Sequence, residues 1–433
     1  MKNERGQMMK TEKTVYSNEH LGSSYSVYHH SSGLDIYIMK MEGFSTVNAA
    51  FATRYGSVNT TFKTDEDKDF ITVPMGIAHY LEHKLFENED SDVFELYAKT
   101  GASGNAYTSF DQTVYTFTCT DNYKESLEIL LDFVQSPFFT EETVEKERGI
   151  IAQEIKMCCD SPERQCFYNL LKAMYTNNPV RFDIAGTVES IGEIDAELLY
   201  KCYNAFYDLH NMVLVIAGDV DEDEIIGVCD KHLKSKEPMG LEVSIPDEPK
   251  KVDREIIRAN FTVGTPLFNI GFKCDCFEGQ ELLKNELCAN ILIQLLSNSA
   301  SPLYKQLYEQ GLINNAFSSE VFFGDGYFSC IFDGESNDPL KVRDMIVDEI
   351  RRLKTEGIDT DRFEMIKKSM YGSLIYEFNN VEACVNNLVA AGLLKIDLFD
   401  ITNVLADIPE QDIFDRIDVL FDTDRISVSI IEN

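Results

Sequence analysis

Hydrophobic residues along this chain follow two spacings that alternate with each other. Strand-like stretches, in which apolar residues alternate or run together, are followed by stretches with the three- and four-residue spacing of amphipathic helices. In the first half, STVNAAFATRYGS (45–57) and QTVYTFTCT (112–120) are strand-like, whereas NYKESLEILLDFVQS (122–136) and EETVEKERGIIAQEIKM (141–157) are helical. Strands followed by runs of helix predict an α+β fold, with a mostly antiparallel sheet and helices packed on one face.

The same order of elements recurs about 220 residues later, as expected of an internal repeat. The strand-like stretch GYFSCIF (326–332) is followed by two helical stretches, DPLKVRDMIVDEIRRLKTEG (338–357) and DTDRFEMIKKSMYGSLI (359–375). We therefore predict two duplicated domains with the same α+β architecture.

A break in both spacings separates the two copies. Residues 238–255 gather three prolines and a glycine among charged residues, a composition that ends helices and strands. We predict a linker over 238–255, an N-terminal domain over 1–237 that carries any active site, and a C-terminal duplicated domain over 256–433.

Composition and charge narrow the classes of partner and the compartment. The chain has 39 Lys and Arg against 74 Asp and Glu, a net charge of −35, which repels nucleic acids and anionic membranes. No apolar run approaches the roughly 20 residues of a membrane span, and the N-terminal MKNERGQMMKTEKTVYSNEH (1–20) lacks the apolar core of a secretory signal. Eleven cysteines without a C-x-x-C pair indicate reduced thiols and no thiolate zinc site. We expect a cytoplasmic protein.

Histidine is scarce and lies in one half of the chain. All seven histidines precede the predicted linker: His20, His29, His30, His79, His83, His210 and His232. A histidine metal site is therefore possible only in the first copy.

The stretch PMGIAHYLEHKLFE (74–87) concentrates the candidate chemistry. Pro74 suits the first turn of a helix, and the apolar Ile77, Leu81 and Leu85 then repeat at i, i+4 spacing. On a neighbouring face, His79 and His83 are four residues apart, which brings two imidazoles close enough to bind one Zn²⁺. Glu82 lies between them in angle and can accept a proton from a water bound to the metal. We predict a zinc site on this helix.

A catalytic zinc normally has three protein ligands and one open position, so another segment must complete the site. The best candidate is the helix that follows Thr140, a plausible N-cap, with Ile150, Ile151 and Ile155 on its buried side. Glu147 and Glu154 are seven residues apart on one face of this helix. From spacing alone, either one can bind the metal while the other supports the site from outside the ligand shell.

Three motifs together resemble a known family. AHYLEHKLFE (78–87) contains H-x-x-E-H, the inverted zinc motif, and GASGNAYTSFDQTVYTF (101–117) and ERGIIAQEI (147–155) follow it. In this order they are similar to the pitrilysin/insulinase-type zinc peptidases, peptidase family M16. The resemblance is closest to short bacterial two-domain members, in particular to the zinc-binding subunit of a heterodimeric pair, and it implies the LuxS/MPP-like metallohydrolase fold.

The resemblance also implies a role for each site residue. His79, His83 and Glu154 would bind Zn²⁺, Glu82 would be the general base, and Glu147 would be a supporting acidic residue. The GNAYTS segment around Asn105 and Ala106 would be an exposed edge strand on which a peptide substrate is laid as an additional strand.

The chain departs from the family pattern in two motifs. Lys84 stands where many members have Met directly after H-x-x-E-H. In the second domain, members with a complete site have R-E-x-x-G-L-x-Y, whereas this chain reads LYEQGLINNAF (307–317), with Tyr308 at the Arg position and Asn314 near the Tyr position. The resemblance therefore implies a hetero-oligomer in which a homologous zinc-less subunit supplies the Arg and Tyr, or a homodimer.

The function predicted from these residues is that of a zinc metalloendopeptidase subunit. It would hydrolyse unfolded peptides or one dedicated precursor peptide, with Zn²⁺ activating the attacking water and Glu82 moving its proton. The alternative from another class is a non-catalytic scaffold or interaction subunit with the same fold.

Overall fold

The computed structural model describes residues 11–87 and 92–433, so the first half of the N-terminal stretch predicted to lack a secretory signal lies outside the described residues. The strands, in chain order, are β1 Glu12–Asn18, β2 Ser23–His29, β3 Asp35–Lys40, β4 Val47–Thr53, β5 Thr61–Lys63, β6 Ile71–Thr72, β7 Ser103–Thr108, β8 Thr113–Cys119, β9 Met212–Gly218, β10 Glu242–Val243, β11 Ile256–Asn260, β12 Leu267–Lys273, β13 Ser318–Gly324, β14 Tyr327–Glu335 and β15 Ile426–Glu432.

Helices fill most of the chain between the strands. In order, the α-helices are α1 Ile77–Leu85, α2 Val93–Thr100, α3 Tyr123–Val134, α4 Glu141–Cys159, α5 Pro162–Met174, α6 Val188–Ile191, α7 Ala196–Phe206, α8 Glu222–His232, α9 Gly279–Ser297, α10 Pro302–Glu309, α11 Pro339–Glu356, α12 Thr360–Glu377, α13 Val381–Leu394, α14 Leu398–Asp407 and α15 Glu410–Leu420.

The elements pack as two compact units, and each unit is assembled from three segments of the chain. Of the described residues, the first unit comprises those within Met1–Gln153, Ile184–Ser244 and Leu374–Asp400, and the second comprises those within Glu154–Asp183, Ile245–Ser373 and Ile401–Asn433. Helices α5 and α13 therefore pack away from the strands that immediately precede them in sequence. The linear bounds given above, 1–237 and 256–433 around a linker, stay a prediction of how the chain is organised.

The first unit is built around a seven-stranded sheet with the order β1-β2-β3-β9-β4-β8-β7. Neighbouring strands are antiparallel except for β3 and β9, which are parallel. The central strands β4 and β9 are buried along their whole length, and α13 packs against both of them. Arg54, at the end of β4, donates hydrogen bonds to the carbonyl oxygens of Gly392 and Leu393, which satisfies the last turn of that helix.

The second unit is built around a five-stranded sheet with the order β11-β15-β12-β14-β13. Its only parallel pair among the described strands is β11 with β15. Helix α5 packs against β12 and β15. Gly271 on β12 permits this close approach, because a Cβ atom there would lie 2.5 Å from the sulfur of Met174.

The two sheets confirm the predicted duplication and the α+β fold class. The five strands β3-β9-β4-β8-β7 of the first sheet have the same order and the same single parallel pair as β11-β15-β12-β14-β13 of the second. The helices also correspond in chain order, because α1 and α2 precede β7 as α9 and α10 precede β13. Strands β1 and β2 extend the first sheet beyond this shared pattern.

The segment predicted as a linker is held to the structure at several points. Strand β10 lies within it and pairs with β5, and Glu248 accepts hydrogen bonds from the backbone N–H groups of Thr176, Asn177 and Asn178. The buried ammonium of Lys273 lies 2.7 Å from a carboxylate oxygen of Glu248. These bonds compensate the burial of both charges.

Candidate metal centre

Helix α1 begins three residues later than the sequence suggested. Pro74 lies before the helix, and Gly76 is the N-cap residue with φ of 89°. A Cβ at Gly76 would lie 2.4 Å from the carbonyl oxygen of Ala185, so both the left-handed backbone and the close packing require glycine here. The prediction that Pro74 forms the first turn is wrong, because this glycine fixes where the helix starts.

The two faces of α1 are arranged as its periodicity predicted. Ile77, Leu81 and Leu85 are buried and anchor the helix in the first unit. His79 and His83 lie on the neighbouring face, partly exposed, with ring centroids 4.6 Å apart and an angle of 64° between the ring planes. The helix therefore presents both imidazoles together on a face that solvent reaches.

Helix α4 presents the second group of polar residues. The Thr140 hydroxyl accepts a hydrogen bond from the backbone N–H of Thr143, as expected of an N-cap. Val144, Ile151 and Ile155 are buried. Ile150, which the sequence placed on the buried side, is 52% exposed, because it lies about 100° around the helix from Ile151.

Helices α1 and α4 are tied together beside the candidate ligands. The buried Tyr80 hydroxyl donates a hydrogen bond to the carbonyl oxygen of Val144. Burial raises the pKa of Tyr80 to about 12, so the hydroxyl stays a donor at neutral pH. One turn further along both helices, His83 Nδ1 lies 3.0 Å from Glu147 Oε1.

His79, His83 and Glu154 converge on one point. Each offers one ligand atom, and these three atoms all lie within 4.8 Å of one another. Glu154 follows Gln153 on the same unbroken helix, so α4 itself sets its position relative to Glu147, two turns earlier. Two imidazoles and one carboxylate are a usual protein donor set for a catalytic zinc, and the small separation fits a single ion.

Glu147 takes the other position that the spacing allowed. Its carboxylate accepts a hydrogen bond from Nδ1 of His83, which leaves Nε2 as the ring nitrogen for metal binding. This carboxylate–histidine contact is the usual device that fixes the tautomer and orientation of a metal-binding histidine. The described geometry therefore groups Glu154 with the two histidines and puts Glu147 behind one of them.

Glu82 is buried and held by strand β7. The hydroxyl of Thr108, the last residue of β7, donates a 2.9 Å hydrogen bond to Glu82 Oε2. Behind it, the hydroxyls of Tyr115 and Tyr207 lie 2.8 Å apart. Burial, with a smaller contribution from the negative charge of Glu82, holds the pKa of both tyrosines well above the ordinary value. Glu82 therefore has neutral, protonated hydroxyls nearby.

A cavity of about 580 Å³ opens beside this group. The predicted site residues Glu82, His83, Asn105, Ala106 and Glu147 line it. Phe86 also lines it, seven residues after His79 and on the helix face that the spacing predicted, whereas sequence reasoning missed the other lining residues: Glu87, Asp92, Phe94 and Lys146. The spacing did not single out these four residues, because they lie after the end of α1, at the start of α2 and in the first half of α4. Thr108, by contrast, lies at the end of the GNAYT stretch that was already singled out.

Strand β7 forms one edge of the seven-stranded sheet, as predicted. Its residues alternate between exposed and partly exposed, and it pairs on one side with β8. The backbone N–H of Ala106 donates to the side-chain oxygen of Asn105. Asn105 and Ala106 therefore stand at an open sheet edge and at the cavity wall together.

In the second unit, the two positions that depart from the family pattern are both accessible. Tyr308 lies on α10, is 51% exposed and stacks with Tyr304. Asn314 is exposed and donates a hydrogen bond to Glu335.

Among residues 11–87 and 92–433, none of the helices combines the length and the apolar character that a membrane crossing requires.

Comparison with known proteins connects both halves of the chain to one group. Residues 73–188 match the family model described as Insulinase (Peptidase family M16), and residues 193–370 match the one described as Peptidase M16 inactive domain. The chain is 38% identical over 411 residues to the uncharacterized zinc protease YmfH of Bacillus subtilis, an alignment that covers 93% of this chain and 96% of that protein.

Solved structures and a eukaryotic relative extend the likeness. The structure of an M16-like peptidase from Alicyclobacillus acidocaldarius has a TM-score of 0.90 and 35% identity, over 98% of this chain and 99% of the other. The mitochondrial-processing peptidase subunit beta of Caenorhabditis elegans is 32% identical over 162 residues, which is 36% of this chain and 35% of that protein. Each of these names describes a peptidase or a protease. The match to the insulinase model lies in the first half of the chain.

Proposed function

Because the chain belongs to the insulinase-type peptidase family M16, we propose that it is a zinc-dependent metalloendopeptidase whose general base is Glu82. The observation that carries the proposal is the convergence of His79, His83 and Glu154 within 4.8 Å, next to a buried glutamate and an open sheet edge. The relative YmfH is named a zinc protease, and this name supports zinc as the metal.

His79, His83 and Glu154 would hold the ion, and Glu147 would orient His83. Zinc bound by these residues supplies a Lewis acid that polarises the substrate carbonyl and lowers the pKa of water. Glu82 accepts a proton from the attacking water and donates it to the leaving amine. The Thr108 hydroxyl keeps the Glu82 carboxylate in place through this exchange.

The substrate would be an extended segment of an unfolded peptide or of one precursor peptide. A peptide placed alongside β7 continues the sheet through main-chain hydrogen bonds. Asn105 and Ala106 would form those bonds, and the side chain next to the scissile bond would enter the cavity that Phe86 and Phe94 line. Backbone pairing explains why such a site accepts unfolded chains only.

We also propose that the active form contains a second chain of the same family, either a zinc-less homologue or another copy. Tyr308 and Asn314 stand where an Arg and a Tyr would complete the site, and one relative is named as a subunit.

All eleven cysteines are free of disulfides, which supports the cytoplasm as the compartment.

The test is zinc content and peptide cleavage by the purified chain, alone and with a homologous partner. Glu82→Gln should retain zinc and lose cleavage at least a thousandfold, because Gln cannot accept the proton. His79→Ala should lose the zinc. Glu145→Gln, an exposed change on α4, is the matched control and should leave both unchanged. Full cleavage by Glu82→Gln contradicts the assigned base, and zinc binding without cleavage under either condition favours the scaffold alternative.

A further inference from the structure

Lys84, the residue that directly follows His83, is completely buried at the end of α1. A buried ammonium is unfavourable unless an anion compensates it, and an apolar side chain of similar length fills such a space more favourably. The ammonium of Lys84 forms an ion pair with the carboxylate of Glu87, three residues further along. The chain therefore keeps a buried ammonium, paired with a partly exposed carboxylate, immediately next to a candidate metal ligand.

Glu87 extends this pair to the second helix of the site. Its other carboxylate oxygen lies 3.3 Å from the ammonium of Lys146 on α4. Burial raises the pKa of Glu87, and the hydrogen bonds and charges of Lys84 and Lys146 outweigh this effect, so that its pKa lies below the ordinary value. One carboxylate thus bridges two cations that belong to different helices.

The two lysines that pair with Glu87 are direct sequence neighbours of candidate site residues. Lys84 follows His83, and Lys146 precedes Glu147, so the charge chain Lys84–Glu87–Lys146 runs beside the hydrogen bond between His83 and Glu147. On the other side of that hydrogen bond, Tyr80 ties α1 to Val144. The charge chain is therefore placed to fix the end of α1 against α4 where the candidate ligands meet.

We propose that Lys84 and Glu87 are positioning residues for the metal-binding group: the ion pair between the buried Lys84 and Glu87, extended to Lys146, sets the spacing between the helices that carry His83 and Glu147. This proposal rests on the proposed function, since it requires His79, His83 and Glu154 to bind the ion. The buried charge stabilises one relative position of the two helices, and a flexible apolar side chain would not select that position.

Zinc affinity and stability without metal separate positioning from a merely structural role. Zinc affinity is measured by competition with a chromogenic chelator, and stability of the metal-free chain by denaturant unfolding. Lys84→Met and Glu87→Gln should each weaken zinc binding about tenfold, in the range of changes behind metal ligands. Lys84→Met should leave the metal-free chain as stable as the unchanged chain or more stable, because Met removes a buried charge.

Three further samples sharpen the test. The double variant Lys84→Met/Glu87→Gln should bind zinc no more weakly than either single variant, because both remove the same ion pair. Lys146→Met should have a smaller effect, since Lys146 is 68% exposed. Lys124→Met, which removes an exposed ion pair with Glu224 elsewhere in the first unit, is the matched control for loss of one positive charge. The absorption spectrum of the Co²⁺-loaded chain should change with Lys84→Met and not with Lys124→Met.

Two results would overturn the proposal, and they are distinguishable. If the unchanged chain binds no zinc, or if its binding does not depend on His79, the proposed function fails and the positioning role fails with it. If binding depends on His79 but is unchanged by Lys84→Met and Glu87→Gln, the positioning role alone is wrong. A variant that is less stable without metal but binds zinc as tightly as the unchanged chain would also show that the positioning role is wrong. Should Lys84→Met fail to fold, Glu87→Gln and Lys146→Met still decide the question.

Discussion

The two repeats have sheets with the same strand order, and they differ in the side chains that the corresponding helices α1 and α9 carry. In the first repeat, α1 buries Ile77, Leu81 and Leu85 and gives its other face to His79, Glu82 and His83. Helix α9 has the same place in the chain order of the second repeat, yet the residues that it buries are mostly apolar, including Leu287, Ile291, Leu292 and Leu295. Among the described residues, the metal-binding group of His79, His83 and Glu154 has no counterpart in the second repeat.

This difference shows which residues define the fold and which define the site. The strand order and the single parallel pair are retained in both repeats, because they depend on many apolar positions that each contribute to the sheet core. The site depends on a few polar side chains on two helix faces, and the second repeat folds without them. The family model for the second half, described as an inactive domain, agrees with this division, since a fold alone does not specify chemistry.

The largest effect on stability is expected at Glu286, on α9 of the second repeat. Burial raises the pKa of Glu286 to about 7 from an ordinary value of 4.5. The folded chain then holds this proton more tightly than the unfolded chain, so the stability contribution is complete below pH 4.5 and is lost as the pH rises to about 7. Glu286→Gln removes the ionisation and should stabilise the chain by about 3 kcal/mol above pH 7, relative to the original residue.

Denaturant unfolding of both chains at several values between pH 4.5 and pH 8 measures this difference. It should be small at the acidic end, grow through the interval and then level off. Zinc content should not change, because α9 carries none of the residues that would hold the ion. A constant difference across the whole range would show that Glu286 is not protonated in the folded chain, and altered zinc binding would break the division between the repeats.

Periodicity and spacing predicted much of this arrangement. The apolar stripe of α1 and the shared face of Glu147 and Glu154 are local properties of a helix, so the sequence alone contains them. The start of α1 at Gly76 depends on a contact with Ala185, about 110 residues away, and no local pattern carries that information. The same holds for the pairing of Glu87 with Lys146. The packing of α5 and α13 in different units from their preceding strands is also non-local.

Within the first repeat, Glu147 is the residue that distinguishes a metal ligand from a side chain that supports one. Glu147→Gln keeps the size of the side chain but replaces the charged acceptor of the His83 Nδ1 hydrogen bond with a neutral one. We expect zinc affinity to fall by about ten- to a hundredfold, measured by chelator competition with Glu145→Gln as the exposed control on the same helix. Complete loss of zinc would identify Glu147 as a ligand, and unchanged affinity would remove its supporting role.

The smallest expected effect lies at the sheet edges, where β7 ends the first sheet and β13 ends the second. Ala106→Pro removes the backbone N–H that donates to the Asn105 side chain, and edge strands tolerate proline. If a peptide pairs with β7, this N–H is one of its donors, and kcat/KM for an unfolded peptide should fall about tenfold, as expected for one lost hydrogen bond. Zinc content should stay unchanged, and Ala106→Gly, which keeps the N–H, should retain most of the activity. Equal activity of the proline and glycine variants would mean that the peptide does not use this donor of β7.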